Sequence, residues 1–141
     1  MRIHAVEQPV RYAETDRMRV VHHSTYLLWF EIGRTGLLAS AGFSYRDVEA
    51  GGTLLPVIEF SCQLSGSADY GDTVRIETRI SHLRTRSVTF SYDVINRGTR
   101  IATGMTRHIP VDENQKPKRL PDLLYKALEG YTGVRNEPGN R

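Results

Sequence analysis

The residues best placed to do chemistry lie in one stretch, Tyr12 to Tyr26, which contains a carboxylate, two adjacent histidines and a predicted helix start. Asp16 is the central carboxylate of this stretch. A helix start presents backbone N–H groups without partners and a partial positive charge, so it can bind an anion or a developing oxyanion. The stretch therefore predicts either a catalytic carboxylate beside an oxyanion site or an ordinary Asp-containing turn before a helix.

Other candidate centres in the sequence are weaker. His22 and His23 with Asp16 contain metal-ligand chemistry, but no second cluster completes a zinc set, so no metal is expected. Cys62 falls in an apolar strand pattern, which predicts a buried structural thiol rather than a nucleophile. The sequence contains no serine nucleophile elbow and no phosphate-binding glycine loop, and no cofactor is expected.

One long helix must position the Asp16 stretch. Apolar residues recur at three, four and seven positions between Ser24 and Ala41, which is the spacing of one buried helix face. Ser24 or Thr25 is the expected cap. Gly33 and Gly36 lie inside this run and disfavour a helix by about 1 kcal/mol each relative to alanine, so they predict close contact with another backbone.

The rest of the chain changes to a strand period. A first strand is predicted before Tyr12, and a short helix is predicted over Pro121–Gly130. The four later strand-like segments are Leu54–Leu64, Val74–Leu83, Val88–Ile95 and Ile101–Val111. Long strands joined by short turns after one helix indicate an α+β fold, with the helix packed on one face of an antiparallel sheet.

The composition suits one independently folding domain. A chain of 141 residues can bury a sufficient core, and we expect a single domain over residues 1–133 with a flexible tail over 134–141. Lys and Arg total 19 against 16 Asp and Glu, and a net charge of +3 is too small to indicate nucleic-acid binding. With one cysteine and no signal-peptide-type or membrane-spanning segment, the sequence predicts a cytoplasmic protein.

Motifs along most of the chain resemble those of a known family. The first group is Thr15-Asp16, Val20-Val21, His23, Tyr26, Phe30-Glu31 and Arg34-Thr35. The second group is Leu55-Pro56-Val57, Tyr70-Gly71-Asp72, Ala102-Thr103-Gly104, His108-Ile109-Pro110-Val111-Asp112 and Arg119-Leu120-Pro121. In order and spacing they resemble the hotdog-fold acyl-CoA thioesterases of the 4-hydroxybenzoyl-CoA thioesterase family, including relatives found beside the Tol–Pal genes.

The resemblance implies a fold and a reaction. The fold is a long central helix wrapped by an antiparallel sheet of five or six strands, with two protomers paired edge to edge and often a homotetramer. The implied reaction hydrolyses an acyl-CoA thioester to a carboxylic acid and CoA without a cofactor, at a site on the protomer interface. Asp16 would act as nucleophile or as general base, and the His23 backbone N–H would polarise the thioester carbonyl.

The resemblance also implies binding residues, each with an alternative role. Candidates to contact the acyl group are Tyr26, Trp29, Leu54 and Pro56, and each of them could equally be core. The basic turn expected to hold the CoA phosphates contains Arg84, Thr85, Arg86 and Ser87. Guanidinium groups suit phosphate geometry, and the alternative for this turn is a solvated hairpin.

One segment departs from the family pattern. Many relatives carry glycine between the aspartate and the Val-Val pair, where this chain has Arg17-Met18-Arg19. The two arginines either favour the ionised Asp16 and steer an anionic substrate, or only solvate the loop. This departure motivates an alternative function, a hotdog protein that binds an acyl thioester without hydrolysing it. A further alternative is a thioesterase that acts on acyl carrier protein.

Overall fold

The computed structural model describes residues 2–18 and 20–132. Its elements are β1 His4–Pro9, α1 Thr25–Ser40, α2 Tyr45–Ala50, β2 Val57–Leu64, β3 Thr73–Arg84, β4 Ser87–Asn96, β5 Thr99–His108 and α3 Asp122–Glu129. A single 3-10 turn, Tyr12–Glu14, lies between β1 and α1. The tail expected over residues 134–141 lies outside the described part of the chain, and the single domain over 1–133 stays a prediction.

The five strands form one antiparallel sheet in the order β1-β3-β4-β5-β2. Buried apolar side chains alternate with outward-facing side chains along the strands, as a sheet with one covered face requires. In β3, for example, Val74 and Ile76 are buried, while Arg75 between them is exposed. The turn between β4 and β5 places Arg97 and Gly98 at φ values of 54° and 78°, which suit a two-residue hairpin. The predicted α+β fold with an antiparallel sheet is confirmed.

Helix α1 lies close against the inner face of the sheet. A Cβ atom added at Gly33 would meet Thr78 and Ile76 of β3, so only glycine permits this approach. Phe30 of α1 packs on Gly104 and stacks on Tyr92, with ring centroids 4.3 Å apart. The predicted close approach of the helix at its glycines is found, but the nearest atoms belong to the side chains of Thr78 and Ile76 at Gly33 and of His4 at Gly36, not to another backbone.

Strand β2 is the exposed edge of the sheet. Helix α1 packs mainly on β1 and β3, while every residue of β2 is exposed in the single chain. The prediction that Cys62 is a buried thiol is wrong, because Cys62 lies on this edge strand, where no helix covers it. Phe60, with 57% of its surface exposed, belongs to the same apolar edge.

The predicted element bounds agree closely with the observed ones, with one omission. Helix α1 begins one residue after Ser24, and Gly42, at a φ of 97°, follows its end. Helix α2 was not predicted, since its six residues are too few for a periodic pattern. The Ser44 hydroxyl caps α2 by accepting the Asp47 N–H at 3.0 Å.

We predict that Gly33→Ala lowers the free energy of unfolding by about 1–3 kcal/mol, because the new methyl group overpacks the contact with β3. Gly36→Ala is the matched control in the same helix. Its Cβ would meet only the movable His4 ring, and alanine favours the helix by about 1 kcal/mol. Urea unfolding of both variants tests the prediction, and equal stability of the two variants would contradict it.

Candidate active site

Backbone hydrogen bonds hold the loop that carries Asp16 in a small hairpin-like form. The Asp16 N–H donates to the Val20 carbonyl at 2.8 Å, and the His22 N–H donates to the Glu14 carbonyl at 2.8 Å. The Val21 N–H donates to the Ala68 carbonyl at 2.9 Å, which ties the loop to the segment before β3. The Asp16 side chain is exposed. The hydrogen bonds of the loop fix its position relative to the start of α1.

The Asp16 carboxylate is partly committed to its own turn. Its Oδ1 atom accepts the Met18 N–H at 2.8 Å, which shapes the turn that follows Asp16. Within the described residues, Asp16 forms no ion pair, and Arg19 is not among them. Among the described residues, no hydrogen bond engages the second carboxylate oxygen.

His22 organises the start of α1. Its Nδ1 atom accepts the Ser24 N–H at 3.1 Å and lies 2.8 Å from the Ser24 hydroxyl, and its ring stacks on that of His23 at 4.2 Å. The Ser24 side chain does not cap the helix as predicted, because His22 already holds it. In the described part of the chain, the His23 N–H has no hydrogen-bond acceptor, while the Thr25 N–H donates to the His22 carbonyl.

The four residues expected to contact the acyl group do not form one surface. Tyr26 and Trp29 are 2% and 0% exposed and pack edge to face in the core, which favours their structural role. Leu54 and Pro56 instead line a groove of about 410 Å³. The other residues of this groove are Tyr45, Glu49, Leu55, Val111 and Gln115.

A second groove runs along α1 from its first turn, and we call it the α1 groove. Its volume is about 320 Å³, and its residues are Leu27, Leu28, Glu31, Arg34, Val57, Ile58, Phe60 and Thr106. Sequence reasoning did not single out these residues as a site. One feature of the sequence could have indicated this site: Arg34 is a cation on the buried face of the predicted helix. This residue is only 8% exposed in the structure.

A buried hydrogen-bond chain lies beside the α1 groove. The His108 Nδ1 atom is 3.0 Å from the Leu55 carbonyl, which can only accept, so Nδ1 carries the hydrogen. The His108 Nε2 atom then accepts from the Thr106 hydroxyl at 2.8 Å, and Thr106 accepts from the Tyr92 hydroxyl at 2.6 Å. This chain fixes the Leu55 segment between the two grooves.

Burial sets the protonation of this chain. It lowers the pKa of His108 to about 4, the nearby Arg34 charge acting in the same direction, against the raising effect of backbone hydrogen bonds. Burial also raises the pKa of Tyr92 to about 12. Both side chains are therefore neutral at physiological pH.

The basic turn between β3 and β4 borders a large cavity on the outer face of the sheet. Arg84 and Ser87 line this cavity of about 720 Å³, together with His82 and Arg107. Its remaining residues are Ser81, Thr89, Ser91 and Met105. Thr85 and Arg86 are exposed at the turn itself, and the Thr85 carbonyl accepts the Leu120 N–H at 2.7 Å. The turn thus supplies cations and hydroxyl groups, with Thr85 and Arg86 outside the cavity.

Residues 2–18 and 20–132 contain neither a metal-binding cluster nor a helix that could span a membrane. No group of three or more His, Cys, Asp or Glu side chains is arranged to hold a metal ion in this part of the chain. Among the helices described, none is long and apolar enough to cross a membrane.

The helix held against a five-stranded antiparallel sheet, with a carboxylate loop feeding the helix start, defines a hotdog-fold protein. The chain belongs to the thioesterase-like superfamily, whose family model matches residues 10–128. The resemblance to this family and the expected thioesterase enzyme class are therefore confirmed.

Individual relatives agree with this assignment. YneP from Bacillus subtilis, named provisionally as an acyl-CoA thioesterase, is 37% identical over 128 residues, which are 86% of this chain and 93% of YneP. The structure of TT1821 from Thermus thermophilus has a TM-score of 0.87 at 37% identity, covering 92% of this chain and 98% of that one. A DHNA-CoA thioesterase from Staphylococcus aureus has a TM-score of 0.85 at 31% identity, covering 91% of each chain.

We predict that wild type loses stability on acidification more than His108→Asn does. An unfolded histidine binds a proton near pH 6.5, whereas folded His108 binds one only near pH 4, so stability falls as the pH drops through this window. The full loss is about 3 kcal/mol. Asparagine keeps a donor for the Leu55 carbonyl but does not titrate.

Urea unfolding of both proteins at pH 7 and at pH 4.5 measures the difference. The stability advantage of wild type is expected to shrink at the lower pH. A parallel pH dependence of the two proteins would contradict the assignment of a neutral, buried His108.

Proposed function

We propose that this protein hydrolyses acyl-CoA thioesters at the Asp16 loop. One observation carries the proposal: a fixed loop presents Asp16 beside a helix start at which the His23 N–H has no acceptor among the described residues. The names of YneP and of the Staphylococcus aureus structure support acyl-CoA as the substrate class.

The chemistry needs a nucleophile and an oxyanion site. Asp16 attacks the thioester carbonyl to form a transient anhydride, or it takes a proton from the water that attacks. In either route the C–S bond breaks, the thiolate of CoA leaves and takes up a proton, and water supplies the oxygen of the new carboxylic acid. The His23 N–H donates to the carbonyl oxygen as negative charge develops there.

The α1 groove is the proposed site of the acyl group. It begins in the first helical turn, at Leu27 and Leu28, immediately after the oxyanion donor. Its apolar side chains can surround an acyl chain and exclude water, whereas Leu54 and Pro56 line a different groove. Tyr26 and Trp29 would support the groove from the core.

The basic turn is the proposed site of the CoA phosphates. The residues proposed to bind the phosphates are those of the turn, Arg84, Thr85, Arg86 and Ser87. We add Arg107, because it lines the same cavity as Arg84 and Ser87. Guanidinium groups and hydroxyls together match phosphate oxygens.

The proposed active form is at least a homodimer, joined edge to edge at β2. An exposed strand edge offers a row of unpaired backbone groups, and here it also carries exposed apolar side chains. These are Val57, Ile58, Phe60 and Leu64. Pairing two β2 strands would continue the sheet and cover the open side of the α1 groove, and a homotetramer would add a second interface.

We predict that Asp16→Asn lowers kcat/KM for acyl-CoA hydrolysis by about 10²–10⁴-fold, because the amide neither attacks the carbonyl nor accepts a proton. Release of free thiol from a panel of acyl-CoAs measures the rate. Asp122→Asn, an equal change at the exposed start of α3, is the control and should keep wild-type activity. Unchanged activity in Asp16→Asn would remove the proposed role.

The same panel separates the alternative functions. If wild type binds CoA thioesters by calorimetry but hydrolyses none of them, the protein is a non-catalytic acyl-thioester-binding hotdog protein. If hydrolysis occurs only with acyl carrier protein substrates, the chemistry at Asp16 stands and the carrier changes.

We predict that Phe60→Asp weakens the dimer roughly tenfold or more, because it places a carboxylate in the apolar β2 interface. Light scattering during size-exclusion chromatography measures the molar mass across a concentration series. Leu123→Asp, at an exposed leucine of α3, is the matched control. A wild-type protein that stays a single chain at all concentrations would contradict the dimer.

A further inference from the structure

Arg34 places a buried positive charge in the α1 groove. The residue is 8% exposed on the core-facing side of α1, and it lines the groove among Leu27, Leu28 and Phe60. An ionised side chain removed from water is stabilised only if hydrogen bonds or an opposite charge replace its hydration. The groups around Arg34 therefore decide what this groove can bind.

The surroundings of Arg34 supply hydrogen bonding without a negative charge. Its Nε–H donates to the Tyr45 hydroxyl at a long 3.3 Å. Among residues 2–18 and 20–132, no carboxylate lies within 4 Å of the Arg34 guanidinium. Glu31, one helical turn earlier in the same groove, is exposed and is not paired with it there.

Tyr92 is the second side chain that hydrogen-bonds to Arg34. It does not supply a negative charge either, because the buried hydrogen-bond chain keeps its hydroxyl protonated. The Tyr92 hydrogen is directed to Thr106, because the Thr106 hydrogen is committed to His108 and the His108 hydrogen to Leu55. Tyr92 can therefore offer Arg34 only oxygen lone pairs, and its burial keeps the phenol neutral. The guanidinium thus keeps a full positive charge and further N–H donors at the groove.

We propose that Arg34 binds a carboxylate at the far end of the acyl group, so that the preferred substrates are thioesters of dicarboxylic acids. This inference rests on the proposed thioesterase function and names its substrate class. A planar guanidinium with free donors is the group best suited to a carboxylate, and the low exposure of Arg34 itself, 8%, strengthens the pair.

The length of the helix limits the acyl chain. Arg34 lies eleven residues beyond the oxyanion donor at His23, or about 16 Å along the axis, and a helical side chain leans back by about one 5 Å turn. The guanidinium is thus about 11 Å from the His23 N–H. An extended chain of about five carbon–carbon bonds covers about 6 Å, and a hydrogen bond of about 3 Å at each end completes this span.

The test compares substrates of equal shape. Adipoyl-CoA carries the carboxylate at that distance, and 6-methylheptanoyl-CoA carries an uncharged branched end in its place. For wild type we expect kcat/KM to be about 10- to 100-fold higher for adipoyl-CoA. Equal or lower kcat/KM for adipoyl-CoA would overturn the inference, while hydrolysis of 6-methylheptanoyl-CoA would leave the proposed thioesterase function standing.

Two variants test whether Arg34 causes the preference for adipoyl-CoA over 6-methylheptanoyl-CoA. Arg34→Gln should remove it and keep hydrolysis of 6-methylheptanoyl-CoA measurable, whereas Glu31→Gln should increase it, because a competing negative charge leaves the groove. A preference unchanged in a folded Arg34→Gln would overturn the role of Arg34. The wild-type comparison decides the substrate class even if Arg34→Gln fails to fold.

A binding experiment tests the Arg34 site independently of whether the protein hydrolyses thioesters. Thioether analogues of the two substrates, in which CH2 replaces the carbonyl, resist hydrolysis and can be titrated by calorimetry. Tighter binding of the carboxylated analogue without turnover of either substrate would support the Arg34 site and reject the proposed hydrolysis. Equal affinity of wild type for the two analogues would count against the Arg34 site.

Discussion

The contact between α1 and the sheet at Gly33 is the constraint on which the other features depend. Because glycine lets the helix backbone approach Thr78 and Ile76, α1 lies over β1 and β3. Among the described elements, α1 therefore packs less on the β2 end of the sheet, and β2 stays exposed with its apolar side chains. The α1 groove and the proposed dimer edge both arise from this off-centre position of the helix.

The position of α1 leaves two sets of polar groups near the proposed reaction site, one exposed and one buried. At the helix start, backbone hydrogen bonds hold the exposed Asp16 and His23, and within residues 2–18 and 20–132 one Asp16 oxygen and the His23 N–H have no partner. Beneath the α1 groove, the buried polar groups are committed to one another in a fixed direction. The first set can change partners during a reaction. The second set keeps its shape and leaves Arg34 as the buried charged residue among those that line the groove.

Sequence periodicity predicted the main elements because their burial repeats within a single segment. Strand β3 and helix α1 show this, as does the close contact at Gly33. Periodicity failed at Cys62, because an edge strand and a central strand have the same alternation and differ only in their neighbours. The chain from Tyr92 to Leu55 was also missed, since its members lie far apart in the sequence and meet only across the sheet.

The most direct test is a crystal structure with an acyl-CoA analogue in which CH2 replaces the thioester sulfur and the carbonyl is kept. We expect the carbonyl oxygen at about 3 Å from the His23 nitrogen, with the Asp16 carboxylate facing the carbonyl carbon and the acyl chain in the α1 groove. An analogue whose carbonyl lies away from the Asp16 loop, for example in the cavity beside Arg84 and Arg107, would contradict it.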